Sequence, residues 1–422
     1  MQLPFLTADL PGIGGVIKEN PEDFFVQEIP LYEPSGEGEH VYCEIQKRGM
    51  STFDLVNRLS YELHVPRQNI GFAGMKDANA VTRQVLSIQG VQEDQLTALK
   101  LPDIEILWVR RHGNKLRLGH LKGNRFAIRI RDVESTDVVK VEPIMAAIQQ
   151  RGLPNFFGEQ RFGSRQNNDL LGAALIRDDS MGLLKLLLGT PDPRFDDAQT
   201  GHARKLFDEH KNEDALHNWP RRGGMERRVL HRLIKSHKPS AAVRMIDEPL
   251  RRLWISALQS RVFNEVLSRR ISTYDQILPG DFAWKHENGA CFMVEDIAAD
   301  QQRAASFEIS ATGPLVGYRM STPEGEPLKI EQEVLAQFQL TPEQFRLEGK
   351  HKVKGARRPL RVKVEDVAIS GGADDHGPHV TLAFTLPAGT FATIVLHEVM
   401  KTESEPQENV SGPFPEPETE PE

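Results

Sequence analysis

Hydrophobic and polar positions divide the chain into three stretches of different period. Over 16–130 the period is mostly two. Phe25-Val-Gln-Glu-Ile29 and His40-Val-Tyr-Cys-Glu-Ile-Gln46 alternate and are rich in β-branched and aromatic residues, so both read as strands. Glu33-Pro-Ser-Gly-Glu-Gly-Glu39 between them is turn-rich and reads as a hairpin connection. Ser51 or Thr52 is placed to cap a helix with Phe53, Val56, Leu59 and Leu63 on its apolar face. Asn69-Ile-Gly-Phe-Ala-Gly74 reads as a small-residue strand running into a loop, with further strands at 81–88 and 126–130.

Near Arg151 the period changes. Positions 170–176, 183–188, 225–234, 253–267 and 330–338 are helical, 283–294 resembles a hairpin, and 190–220 is polar and irregular. Beyond about Arg358 the strand pattern returns at 360–369 and 379–386, ending with 391–400. A β-rich, helix-rich, β-rich succession predicts an α+β protein in which both chain ends build one sheet and the middle is an inserted domain.

A length of 422 residues allows two or three domains. The net charge of −8 argues against a nucleic-acid partner until its placement is considered. From Thr402 to Glu422 there are seven glutamates, five prolines and no basic residue, which predicts a disordered, solvated tail. Without it, 52 basic groups face 53 acidic ones, and the body is nearly neutral. Within that body, 110–125 carries six basic residues, two histidines and no acid, and 221–252 carries ten basic and three acidic residues. Such clusters neutralise phosphates, which points to RNA. Each run alone reads equally well as a solvated face.

Cys43 and Cys291 form neither a disulfide framework nor a metal-ligand cluster, and read as free, buried or half-buried thiols. No apolar run reaches the ~20 residues of a membrane span. Positions 1–10 lack a secretory pattern, so a cytoplasmic protein is expected. Gly12-Ile-Gly-Gly15 has no strand before it and is no dinucleotide fingerprint. Asp374-Asp-His376 with His379 offers metal-ligand types, although Gly and Pro around it favour a surface turn.

The candidate for chemistry is Gly71-Phe-Ala-Gly-Met-Lys-Asp-Ala-Asn-Ala-Val-Thr-Arg-Gln84, whose small residues allow a tight turn and close approach of a ligand. Asp77 is then presented at a loop tip beside Lys76. From spacing alone, a turn or cap role for Asp77 competes with catalysis.

The string Gly74-Met-Lys-Asp-Ala-Asn-Ala-Val-Thr-Arg-Gln84 resembles the catalytic motif of the TruD family, the tRNA pseudouridine-13 synthases. Four more strings resemble family motifs in the family's order. They are Lys18-Glu-Asn-Pro-Glu-Asp-Phe-Phe-Val-Gln-Glu28, Leu121-Lys-Gly-Asn-Arg-Phe126, Pro154-Asn-Phe-Phe-Gly-Glu-Gln-Arg-Phe-Gly163 and Leu386-Pro-Ala-Gly-Thr-Phe-Ala-Thr393. The resemblance covers about 17–401, is weakest over 178–249, and leaves out the tail.

What the resemblance implies is a pseudouridine-synthase core of mixed or antiparallel sheet in 1–153 and 359–401, with a TruD-specific α+β domain inserted at 154–358 and the tail at 402–422. Asp77 becomes the nucleophile that converts a flipped-out uridine of tRNA into pseudouridine, with attack at C1′ or at C6 left open. Phe24 and Phe391 bracket the uracil and Asn124 hydrogen-bonds it. Lys18, Lys76, Arg110, Arg111 and Lys122 are supporting or phosphate-contacting residues. Lys76, or a basic residue of 110–125, is expected to keep Asp77 ionised. The run 155–163 is structural, packing where the inserted domain begins. The chemistry needs no metal, nucleotide or redox cofactor, and the implied protein is a monomer whose partner is tRNA, bound in a cleft between the domains. One departure stands out: where the family tends to show Arg-Glu, this chain has His397-Glu398, which puts a salt bridge or phosphate contact there in doubt. Two other readings of the same basic surfaces are a non-catalytic RNA-binding protein and a carboxylate-based N-glycosidase; the second is weakened because no paired carboxylate stands near Asp77 in sequence.

Overall fold

A computed structural model describes residues 3–346 and 352–402. The acidic tail, read above as disordered, lies from Glu403 outside the described residues.

The first stretch forms β1 (Phe24–Pro30), β2 (His40–Arg48), α1 (Thr52–Glu62), β3 (Ile70–Phe72) and β4 (Val81–Gln89). Then come α2 (Glu93–Thr97), β5 (Ile104–His112), β6 (Leu121–Arg131), α3 (Val138–Arg151) and the short β7 (Leu153–Pro154). Seven helices follow: α4 (Asn168–Ile176), α5 (Ser180–Leu188), α6 (Ala198–Asp208), α7 (Asn212–Asn218), α8 (Gly224–Ser236), α9 (Pro239–Val243) and α10 (Glu248–Arg269). After these come β8 (Phe282–Lys285), β9 (Cys291–Met293), α11 (Ile297–Ala305), β10 (Ile309–Leu315), α12 (Gly325–Gln337) and β11 (Ala356–Pro359). The chain ends with β12 (Arg361–Val362), β13 (Glu365–Asp374), β14 (Gly377–Pro387) and α13 (Ala392–Met400).

Two compact units result. One spans Phe156–Leu360; the other joins Pro4–Asn155 to Arg361–Thr402. The second unit carries an eight-stranded mixed sheet in the order β13-β14-β6-β1-β4-β2-β5, with β3 also paired to β4. Among the described strands of this sheet only β1 and β4 run parallel. The chain leaves this unit at β7 and re-enters it at β12, and these two strands pair with each other. The architecture is α+β.

Alternation sets the sheet's faces. Val41, Cys43 and Ile45 of β2 and Leu86 and Ile88 of β4 point to one side, where Leu55, Val56 and Leu59 of α1 cover them. Ser51 caps α1, its hydroxyl accepting from Asp54 N. Leu55, rather than Phe53, completes the buried face; Phe53 lies edge-on to Phe72 at 6.1 Å.

Five expectations are corrected. β1 and β2 form no hairpin, because β4 lies between them and pairs with both. Turn residues mark a reversal without choosing the partner strand. The polar stretch 190–220 contains α6 and α7, which bury few side chains (Ala203, Phe207 and Ala215 among them) and so show little apolar period. Positions 391–400 form a helix: α13 is buried nearly all round, which erases the amphipathic signal and leaves its β-branched residues looking like a strand. Finally, Cys43 is buried but Cys291 is exposed. The strand expected over 360–369 is split into β12 and β13.

Candidate active site

The loop 73–80 leaves β3 and returns as β4, and its backbone is pinned from three sides. Gly71 precedes it where a Cβ would meet Leu116 O at 2.2 Å and Ser87 Oγ at 2.7 Å, so only glycine fits. Lys76 N donates to Thr52 Oγ1 (2.9 Å), which in turn donates to Gln84 Oε1 (3.0 Å). Lys47 Nζ donates to Asp77 O (3.0 Å) and to Met50 O. Asn79 N donates to Asp77 Oδ1 at 3.0 Å, closing an Asx turn that aims the carboxylate.

The expected partner of Asp77 is corrected. Lys76 is turned away into an ion pair with Glu28 at 2.7 Å, the side chains being 5% and 1% exposed. The cation on Asp77 is Lys18, which pairs with Oδ2 while the two side chains remain 11% and 29% exposed. No basic residue of 110–125 takes that place. Lys18 adopts φ +61°, a left-handed conformation rare for a long side chain, which aims it back at the loop. Its ammonium also sits 4.5 Å from the centre of the Phe24 ring.

Burial dominates the electrostatics around this loop. It pushes the Glu28 carboxyl up, against the opposing pull of Lys76. It also pushes the Lys47 ammonium down to about 8, with the Asp77 charge opposing. Lys47, Glu28 and Thr52 are the site residues that sequence reasoning missed. Lys47 had a signal: it follows Cys43 and Ile45 at period two, so β2 must bury it.

Other candidates divide. Asn124 of β6 stands opposite Glu28 of β1, and its Oδ1 is buried with no hydrogen-bond partner among the described residues. Such an atom calls for a ligand or a water. On its other side Asn124 faces Leu386 of β14, and the loop beyond, anchored by Ala388 N donating to Lys122 O (3.0 Å), delivers half-buried Phe391 at the start of α13. Phe24 is itself buried, with Phe126 edge-on at 6.4 Å. Thus Lys18, Phe24 and Asp77 are brought together directly, Lys76 is paired away on Glu28, and Asn124 stands opposite Glu28 in the sheet. Arg110 and Lys122 are exposed, Arg110 lying 6.0 Å from the Trp108 ring. Arg111 is not part of the group: it is tied to Glu93 (3.0 Å), Gln92 Oε1 (2.7 Å) and Gly38 O (3.2 Å).

Asp374 serves a clamp. Arg131 binds Asp23 through Nε and Nη2 (2.8 and 2.6 Å) and Asp374 through Nη1 and Nη2 (both 2.9 Å), leaving Asp375 and His376 as the tip of the β13–β14 hairpin. Hydrogen bonds from Arg131 hold the Asp374 carboxyl well below the usual carboxylate range. Among the described residues there is no group of three or more metal-ligating side chains. His397-Glu398 is likewise structural. His397 stacks on Phe5 at 4.3 Å, and Glu398 accepts from Leu6 N (2.6 Å), Thr7 N (3.2 Å) and Thr7 Oγ1 (2.9 Å). In the run 155–163, Phe157 N donates to Asn264 Oδ1 (2.8 Å) and Phe157 O accepts from Asn264 Nδ2 (2.9 Å), so it packs on α10.

Comparison with known proteins decides the family. The family model described as tRNA pseudouridine synthase D (TruD) matches residues 1–399. The chain belongs to the TruD family. Relatives named tRNA pseudouridine synthase D include one from Geotalea daltonii, 44% identical over 94% of this chain and 100% of its own length. Another, from Thermus thermophilus, is 37% identical over 95% of this chain and 93% of its own. A crystal structure from Methanosarcina mazei, assigned as a candidate TruD, superposes with a TM-score of 0.83 at 30% identity, covering 95% of this chain and 99% of that one. The match of TruD relatives spans both compact units, including the stretch 178–249 where no family string was legible. No helix of the described residues is long and apolar enough to cross a membrane.

Proposed function

We propose that this TruD chain isomerises uridine to pseudouridine in tRNA, at position 13 of the D arm, with Asp77 as the nucleophile. The reaction balances without a co-reactant. The N1–C1′ bond breaks, C5 bonds to C1′, C5 gives up its proton, and N1 ends protonated.

The observation that carries this reading is the pairing of Lys18 with a carboxylate on a pinned loop, in the same unit as the unpartnered Asn124 Oδ1, whose residue stands opposite Glu28 in the sheet. Lys18 orients Asp77, whose carboxylate is the attacking group. The Asn124 Oδ1 accepts from the uracil N3–H, satisfying an atom that is otherwise stranded. Phe391 supplies a stacking face for the flipped base, and Phe24 forms the floor beneath Lys18. Each role is local to one compact unit, Pro4–Asn155 with Arg361–Thr402, and this unit is the catalytic domain in our reading; Phe156–Leu360 is the TruD-specific insertion.

Incubating unmodified tRNA with wild type and Asp77→Asn, then mapping pseudouridine and free base, tests it. Wild type should yield pseudouridine and no free uracil; Asp77→Asn should lose at least about 1,000-fold in rate while RNA affinity stays within a few fold. Unchanged uridine with wild type supports a non-catalytic RNA-binding protein, and free uracil a glycosidase.

A further inference from the structure

The segment between β5 and β6 has a second feature that the reaction does not use. It folds over β3 and β4, where Leu116 packs against Tyr42, Ala73 and Val85. Beside it opens a hollow of about 510 Å³ lined by Tyr32, Glu33, His112, Lys115, Arg117 and His120. That volume lies within the range of small-ligand sites.

The hollow is built rather than loose. Leu116 N donates to Ser87 Oγ (2.8 Å), Gly119 N to Ala73 O (2.9 Å), Tyr42 Oη to Asn114 O (2.9 Å) and Lys115 Nζ to Gln68 O (2.7 Å). Tyr32 stacks on His112 at 5.2 Å, lies edge-on to His120 at 5.7 Å, and shares a 2.8 Å hydrogen bond with His120 Nδ1. Ser35 N donates to His112 Nδ1 at 3.1 Å, so that nitrogen carries no proton and the ring keeps an Nε2–H to offer. Three π systems, two cations and one carboxylate thus converge on a preformed space.

Their chemistry narrows the ligand. Rings take a flat heterocycle; Lys115 and exposed Arg117 take a phosphate. Glu33 disfavours a bare phosphate cluster and accepts from an exocyclic amino group. We infer that the hollow takes one unstacked, amino-bearing nucleotide of the RNA substrate (adenine, guanine or cytosine), separate from the uridine that is isomerised. This rests on the function proposed above and adds a second point of grip, held to the catalytic loop through the Gly119–Ala73 bond.

The test compares wild type with Tyr32→Ala, Tyr32→Phe and Arg117→Ala on unmodified tRNA. It reads Kd across salt concentrations together with steady-state pseudouridine formation. Tyr32→Ala should raise KM and Kd about tenfold with kcat falling less than threefold, from the loss of one stacking platform. Tyr32→Phe, which keeps the ring, should stay within about twofold, separating stacking from misfolding. Arg117→Ala should lower the slope of log Kd against log salt by about one. RNA affinity and salt slope unchanged in both alanine variants would overturn the inference. So would tight binding of free AMP or GMP to wild type without competition from tRNA, which assigns the hollow to a small molecule. If wild type binds tRNA but makes no pseudouridine, the proposed function fails, while the affinity changes still read the hollow.

Discussion

Lys76 and Asp77 are neighbours in the chain, yet each charge faces a different partner in different surroundings. The Lys76–Glu28 pair is almost sealed, at 5% and 1% exposure; the Lys18–Asp77 pair keeps 11% and 29%. A sealed pair loses most of its hydration on folding and is held by the charge opposite, so removing one partner strands the other. A pair at the surface can be opened by a ligand at small cost. Position along one loop therefore separates a pair that holds the loop's shape from a pair that presents a reactive group.

Breaking the sealed pair should have the largest effect. Lys76→Met leaves the Glu28 carboxylate buried without its counter-ion and should destabilise the protein by about 3–5 kcal/mol in urea unfolding. Adding Glu28→Leu should restore most of that. A single-variant loss below about 1 kcal/mol would mean that the pair is no more than a surface contact.

Lys47 sharpens the comparison from beneath the loop. Burial lowers its folded pKa to about 8, below the unfolded value of about 10.4. Between these values the unfolded chain binds more protons, so the penalty is present in full below pH 8 and is relieved as pH rises toward 10.4. Wild-type stability relative to Lys47→Met should therefore rise across that window, by at most about 3 kcal/mol. A flat difference from pH 7 to 10.5 contradicts the burial argument.

At the open pair, Lys18→Met should reduce kcat about 100-fold, or about 2.7 kcal/mol of transition-state stabilisation, with little change in thermal stability. A kcat within threefold of wild type would remove Lys18 from the mechanism.

Much of this was legible in the sequence, for reasons that also set its limit. Alternation and β-branched or aromatic content located β1, β2, β4, β6 and β14, although parts of β2, β4 and β14 are buried on both faces. They could not show that β4 inserts between β1 and β2, since pairing is decided across distance. The loop carrying Asp77 stood out by its small residues, but the partner of its carboxylate did not. Lys76 was the nearest cation in sequence; Lys18 reaches Asp77 because β1 lies beside β4, and only the fold makes that so. Arg111 illustrates the same limit: adjacent to Arg110 on β5, it points to the opposite face and is held by Glu93.

His397 and Glu398 repeat the pattern on α13 with a smaller expected effect. Glu398 is buried, and its charge is met by Leu6 N, Thr7 N, Thr7 Oγ1 and Lys401 (3.5 Å), which ties the N-terminal segment to the helix. His397 meets a different group of the same segment and lies flat on Phe5, with ring planes 20° apart. Lys401 covers the same Phe5 ring at 4.3 Å, so a cation is already supplied there. Toward Phe5, position 397 therefore presents a ring, and the cation there is Lys401. His397→Ala should cost about 1 kcal/mol in unfolding stability, the value of one aromatic pair, and His397→Phe, which keeps a ring on Phe5, should cost less. If His397→Phe proved as costly as His397→Ala, a polar contact of the imidazole would outweigh the stack, and the parallel with Lys76 and Asp77 would fail at this second site.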